Sequence, residues 1–122
     1  MNFDFAIGTD IEEIRRFENK TLENDIDFLN HIFTDKELEY CYKNKKYAQH
    51  LCARFCAKEA VIKALSALGA DDLYYKDIEI LKSASGAPYA DIKKIKDKGI
   101  QIKLSMSHCR NCASASAIAV KE

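Results

Sequence analysis

The sequence predicts an α+β domain in which a mostly antiparallel sheet packs on helices. Three observations carry that expectation. A short alternating segment opens the chain, helical periodicity fills roughly residues 11–68, and strand-like alternation returns after Gly69. With 122 residues and one proline, the chain has the length for one domain over 1–122, able to bury most of its apolar surface.

Phe3, Phe5 and Ile7 alternate with Asp4 and Ala6, which predicts a first strand ended by Gly8-Thr9-Asp10. Ile11, Ile14 and Phe17 recur at helical spacing, so a helix is expected from Asp10, its N-cap. A second helical stretch is expected from Leu22 to His31. Thr34-Asp35-Lys36-Glu37 has the spacing of a capping box, with Phe33 and Leu38 at staple positions, and a helix to about Lys43 should follow. The clearest helix spans Tyr47 to Leu68. Its apolar stripe is Leu51, Phe55, Ile62, Leu65 and Leu68, and Gly69 sits where a C-cap glycine belongs. Ile78, Ile80 and Tyr89 mark two strands joined by a turn over 83–88. Ile100, Ile102, Leu104 and Met106 alternate with polar residues, and Ala113 to Val120 reads as the last strand.

Hydrophobic residues make up 48% and charged residues 31%, a balance that folds rather than stays disordered. Lys plus Arg is 19 and Asp plus Glu is 19. A net charge of zero argues against a dedicated nucleic-acid binder. No apolar run reaches the roughly 18–20 residues of a membrane helix. Met1-Asn2-Phe3-Asp4-Phe5 lacks the pattern of a signal peptide. Five cysteines, an odd number with no secretion signal, read as reduced thiols and a cytoplasmic location.

Arg54, Lys58, Glu59 and Lys63 fall within one predicted helix. Glu59 and Lys63 lie about 40° apart on one face. From spacing alone the plainer reading is an ordinary helix-stabilising pair; the functional one is a carboxylate with cations around it, suited to a metal and a phosphate. Asp10, at a strand end, either caps the following helix or meets Glu59 at a shared hard cation such as Mg²⁺, which takes oxygen ligands. Ser105-Met106-Ser107-His108 ends a strand with hydroxyl and imidazole groups that can bond phosphate, or simply occupy a surface. Cys109-Arg110-Asn111-Cys112 is a C-x-x-C, and Cys52 and Cys56 share one helix face. Together these four admit a zinc-binding interaction module or, for the C-x-x-C alone, a redox pair; inert packing thiols are the plainer reading.

In this order the pieces resemble one family, the bacterial holo-acyl-carrier-protein synthases, which are phosphopantetheinyl transferases. Ile7-Gly8-Thr9-Asp10-Ile11-Glu12 resembles the family's opening strand. Arg54-Phe55-Cys56-Ala57-Lys58-Glu59-Ala60 with Lys63-Ala64 resembles its central helix motif. Asp77-Ile78-Glu79-Ile80, Ser85-Gly86-Ala87-Pro88-Tyr89 and Ser105-Met106-Ser107-His108 match later motifs.

The resemblance implies transfer of the phosphopantetheinyl arm of coenzyme A to a serine of apo acyl carrier protein, for fatty acid synthesis or, alternatively, for a secondary-metabolite carrier. It implies Mg²⁺ on Asp10 and Glu59, with Lys63 as the third catalytic residue, on the phosphates. Coenzyme A would be held by Arg54, Lys58, Lys63, Gly86, Pro88, Ser107 and His108, with Lys58 alternatively holding Glu59 in place. Arg15 and Arg16, on a basic first helix, would dock the acidic carrier. It also implies a homotrimer with active sites shared between subunits. The chain departs from the family at Cys109, often Thr, at Ala87, frequently Lys, and at Ser66-Ala67-Leu68-Gly69, usually Gly-rich.

Overall fold

The computed structural model describes residues 4–122. The expected first residue of the opening strand, Phe3, lies outside them. Strand β1 runs from Asp4 to Glu13, and helices α1, α2 and α3 span Ile26–Ile32, Asp35–Tyr42 and Tyr47–Ala67. Then come β2 (Glu79–Lys82), β3 (Pro88–Asp91), β4 (Ile100–His108) and β5 (Cys112–Lys121). The main sheet has the order β1-β5-β4, and β2 and β3 form a separate hairpin; all pairs are antiparallel. The α+β expectation holds.

Helix α3 crosses one face of the main sheet. That face is lined by Ala113, Ala115, Ala117 and Ala119 of β5, all buried. Small side chains let the helix lie close. The closest approach is at Gly8 on β1, where a Cβ would meet the Ala60 carbonyl oxygen at 1.8 Å and the Ala64 nitrogen at 2.8 Å. Gly8 is therefore no turn residue; it is a mid-strand gap into which the helix backbone fits. On its other side α3 packs under α2 and β2. It is consequently buried nearly all round rather than along one stripe, with Ala57, Ala60 and Val61 fully covered and Ile62 and Leu68 only half-buried.

The helix expected from Asp10 does not form. Ladder pairing with β5 continues through Glu13↔Cys112, and only Ile14–Phe17 turn, as one 3₁₀ turn. Ile14 and Phe17 are buried three residues apart, the 3₁₀ repeat, while Ile11 stays exposed on the strand. Strand and 3₁₀ residues together thus mimicked a helical stripe. The second helix is shorter than expected, starting at Ile26 after a turn over 22–24.

The capping box is complete: the Glu37 amide donates to Thr34 Oγ1 at 3.3 Å, and the Thr34 amide to Glu37 Oε1 at 2.8 Å. At the end of α3, Gly69 (φ +87°) donates to Ser66 O and Ala70 to Leu65 O, a Schellman closure. Phe17, Phe33 and Phe55 meet in the core with ring centroids 5.7 and 6.1 Å from Phe17.

Candidate functional site

Asp10 and Lys63 meet across the β1–α3 seam. Strand alternation puts Gly8, Asp10 and Glu12 on the helix-facing side, and the glycine gap lets Lys63 reach over. Lys63 Nζ donates to the Thr9 carbonyl at 2.9 Å and lies 3.5 Å from Asp10 Oδ1. Among the described residues, Asp10 Oδ2 is buried and has no hydrogen-bond partner. Burial raises the Asp10 pKa, with Glu12 adding to the rise, Lys63 opposing it and Glu59 adding again. Glu59 on α3 thus lies within the Coulombic field of Asp10. Carboxylate oxygens are what a hard cation takes, and the orphaned Asp10 Oδ2 is one that such an ion could satisfy.

Tyr75, for which the sequence carried no signal, donates its hydroxyl to Glu59 Oε1. Burial, then this bond, pushes its pKa up to about 12. Tyr75 is held from behind by Lys58. The Lys58 ammonium is fully buried and donates to Glu37 Oε1 at 2.6 Å, Ile32 O at 2.8 Å and Tyr75 O at 3.0 Å. Its three protons are all used, which leaves none for a coenzyme A contact; of the two roles expected of Lys58 the structure shows the second, a brace in the core behind Glu59. Burial lowers its pKa, opposed by Glu37. Glu37 Oε2 also accepts from the Ile80 amide at 2.8 Å, tying α2, α3 and β2 together.

Arg54 leaves α3 about 140° from Glu59. It is 3% exposed, its guanidinium carbon sits 4.2 Å over the Tyr40 ring, and its Nε has no partner among the described residues. Lys82 flanks the same ring at 5.2 Å, and His50 packs edge-on at 5.6 Å. The His50 pKa is lowered by burial, then by Arg54, Lys82 and His108. His108 therefore lies near this group of basic side chains. It sits two strands from Glu12, through the register Glu12↔Ala113↔His108. Ser107 takes the opposite sheet face by alternation. Gly86 (φ +91°) turns the exposed β2–β3 loop, and Pro88 opens β3 beside Lys82. The chain thus brings together Asp10, Glu59 and Lys63, and separately Arg54 and His108; Ser107, Gly86 and Pro88 join neither group.

Arg15 and Arg16 are exposed on the 3₁₀ turn rather than on a helix. Arg15 pairs with Glu13 at 2.5 Å and Arg16 with Glu12 at 2.9 Å. The four cysteines do not converge. Cys52 and Cys56 donate to Glu12 O and Ala113 O at 3.6 and 3.4 Å between helix and sheet, whereas Cys109 and Cys112 lie at the β4–β5 turn. Among the described residues, no three His, Cys, Asp or Glu side chains are grouped to hold a metal, so the zinc module is corrected. No helix of the described residues is long and apolar enough to cross a membrane.

The profile of the 4′-phosphopantetheinyl transferase superfamily matches residues 6–120. The holo-[acyl-carrier-protein] synthase of Protochlamydia amoebophila is 39% identical, over 93% of this chain and 95% of its own. That of Caldanaerobacter subterraneus is 43% identical, over 93% of each. A crystal structure of a holo-(acyl-carrier-protein) synthase from Bacillus anthracis, in complex with CoA (3′,5′-ADP), superposes with a TM-score of 0.77. It is 26% identical, over 96% of both chains.

Proposed function

Because this chain belongs to the 4′-phosphopantetheinyl transferase superfamily, we propose that it moves the phosphopantetheinyl arm of coenzyme A onto a serine hydroxyl of an apo acyl carrier protein, releasing adenosine 3′,5′-bisphosphate. The observation that carries this reading is the convergence of Asp10, Glu59 and Lys63 at the β1–α3 seam. Attack of a hydroxyl on a diphosphate needs charge neutralisation and in-line placement. Asp10 and Glu59 would hold Mg²⁺, which when bound neutralises the diphosphate charge. Lys63, half-exposed, turns its ammonium to the phosphates. Tyr75 fixes the Glu59 carboxylate, and Lys58 with Glu37 fixes Tyr75. The whole stretch 1–122 acts as one transferase domain, supported by a single core cluster running from Ile14 to Ala119.

Arg54 and His108 would take the nucleotide end of coenzyme A, and Ser107, Gly86 and Pro88, which join neither group within one chain, would meet it from a neighbouring copy. The place of Arg54 on another face of α3 from Glu59 favours sites assembled between copies of the chain. A homotrimer is supported by the outer sheet face, where Phe5, Ile7 and Ile11 are 62%, 64% and 68% exposed. Arg15 and Arg16 would receive the acidic carrier, and fatty acid synthesis in the cytoplasm is the setting we infer for it.

The test incubates the protein with coenzyme A, Mg²⁺ and apo acyl carrier protein, then weighs the carrier. A gain of one phosphopantetheinyl group, lost on chelation, is expected. An unchanged mass with several apo carriers would overturn the reading.

A further inference from the structure

The β4–β5 turn carries Cys109-Arg110-Asn111-Cys112 at its tip, outside both clusters described above. The Cys109 amide donates to the Cys112 carbonyl at 2.8 Å, which sets the two residues directly opposite each other. Residues facing each other across an antiparallel pair have Cα atoms about 4.5–5.5 Å apart, inside the roughly 4.4–6.8 Å window for a disulfide. His108 and its partner Ala113 point to α3, so alternation turns both thiols to the other side, at the end of the sheet past the Phe5, Ile7 and Ile11 patch, where Glu13↔Cys112 is the last pair. Cys109 is exposed and Cys112 partly so, unlike Cys41, Cys52 and Cys56, which are buried.

We propose that this turn is a thiol–disulfide exchange site, with Cys109 the attacking and Cys112 the resolving cysteine, and a low-molecular-weight disulfide such as oxidised glutathione the co-reactant. Cys109 Sγ attacks one sulfur of glutathione disulfide, and one glutathione thiolate leaves. Cys112 Sγ then attacks Cys109 Sγ, forming the Cys109–Cys112 bond and releasing the second glutathione. Two protein thiols are oxidised, one disulfide is reduced to two thiols, and the two cysteine protons end on the glutathiones. The surroundings fit those roles. The neighbouring backbone of Asn111 and Cys112 lowers the Cys109 pKa, whereas burial raises that of Cys112. A two-thiolate turn without a third ligand beside it suits exchange better than metal binding, and none is grouped with it among the described residues.

Reduced protein is treated with oxidised glutathione, quenched in acid and weighed intact. The native chain is expected to lose two hydrogens, keep three of its five thiols titratable, and yield a peptide linking Cys109 to Cys112. Cys112→Ser should stop at one glutathione adduct on Cys109, and Cys109→Ser should react at least about 10-fold more slowly. A native chain that stays unmodified, accumulates a stable adduct, or oxidises elsewhere overturns the proposal. One consequence rests on the transferase reading: His108 is bonded to this turn, so the oxidised protein should show a severalfold higher KM for coenzyme A. An unchanged KM in fully oxidised protein would overturn that consequence, while the mass result, read without turnover, stands or falls alone.

Discussion

Replacing Gly8 by alanine drives a methyl group into the backbone of α3. The added Cβ would stand 1.8 Å from the Ala60 carbonyl oxygen, and the atom it meets is helix backbone that no rotamer can move. Bringing that contact even to 3.0 Å parts β1 and α3 by about 1.2 Å. Overpacking of this kind costs roughly 2–3 kcal/mol, which for a chain of this length lowers Tm by roughly 6–15 °C. The same parting separates Asp10 on β1 from Glu59 and Lys63 on α3. Misplacement on the order of 1 Å at a reacting centre costs roughly 100-fold in rate. Calorimetry and the carrier mass shift, run on the same preparation below its Tm, measure the two effects. A Gly8→Ala protein with native Tm and native turnover would refute the claim that the seam sets the site. A lowered Tm with full turnover would refute only the coupling of packing to catalysis.

Glu59→Gln keeps the volume and the Tyr75 hydrogen bond but removes a charge; carrier modification should fall at least about 100-fold with an unchanged urea melt, and normal turnover would sink the metal-holding role. Lys58→Met leaves Glu37 as a buried, unpaired carboxylate, so urea denaturation should show a loss of roughly 3–5 kcal/mol; a loss below about 1 kcal/mol would mean water reaches that pair. Arg16→Glu should raise KM for the carrier far more than KM for coenzyme A, measured by varying each substrate; equal effects would remove the docking role from the 3₁₀ turn. The His50 pKa is lowered in the folded state, by burial and then by Arg54, Lys82 and His108. Tyr40 completes its surroundings. The stability His50 contributes is therefore full above its unfolded value of 6.5 and lost as pH falls through the lower folded value. Thermal melts should drop more steeply below pH 6.5 for the native chain than for His50→Gln, and parallel curves would contradict this.

Most of the fold was legible because its signals are local. The capping box at Thr34, the glycine closing α3 and the alternation of β4 and β5 each depend on a few neighbouring residues. The error at β1 had a physical source. Residues 10–13 obey two periodicities at once, and only pairing with β5, at the far end of the sequence, decides for the strand. Gly8 was misread for a similar reason. A glycine needed for a turn and one needed for a helix passing overhead look alike until the partner backbone is in place.

At the site, the residues that share a spacing were readable and those that share only space were not. Glu59 and Lys63 announce themselves one helical turn apart. Tyr75 comes from an irregular segment and Glu37 from another helix, yet both decide how Glu59 is held. Lys58 shows what a motif carried over by resemblance leaves open, between binding phosphate and holding Glu59 in place. It is next to Glu59 in sequence, but neighbouring helical residues point about 100° apart. Glu59 turns to the seam, and Lys58 turns to the core, where Glu37, Ile32 and Tyr75 consume its protons. A buried ammonium is costly unless fully paired, so its retention argues for a rigid support. Through the Tyr75 backbone it sets the phenol that grips Glu59. A motif that reads as one site is then two layers: a carboxylate facing the substrate and, one residue earlier, the cation that keeps it there.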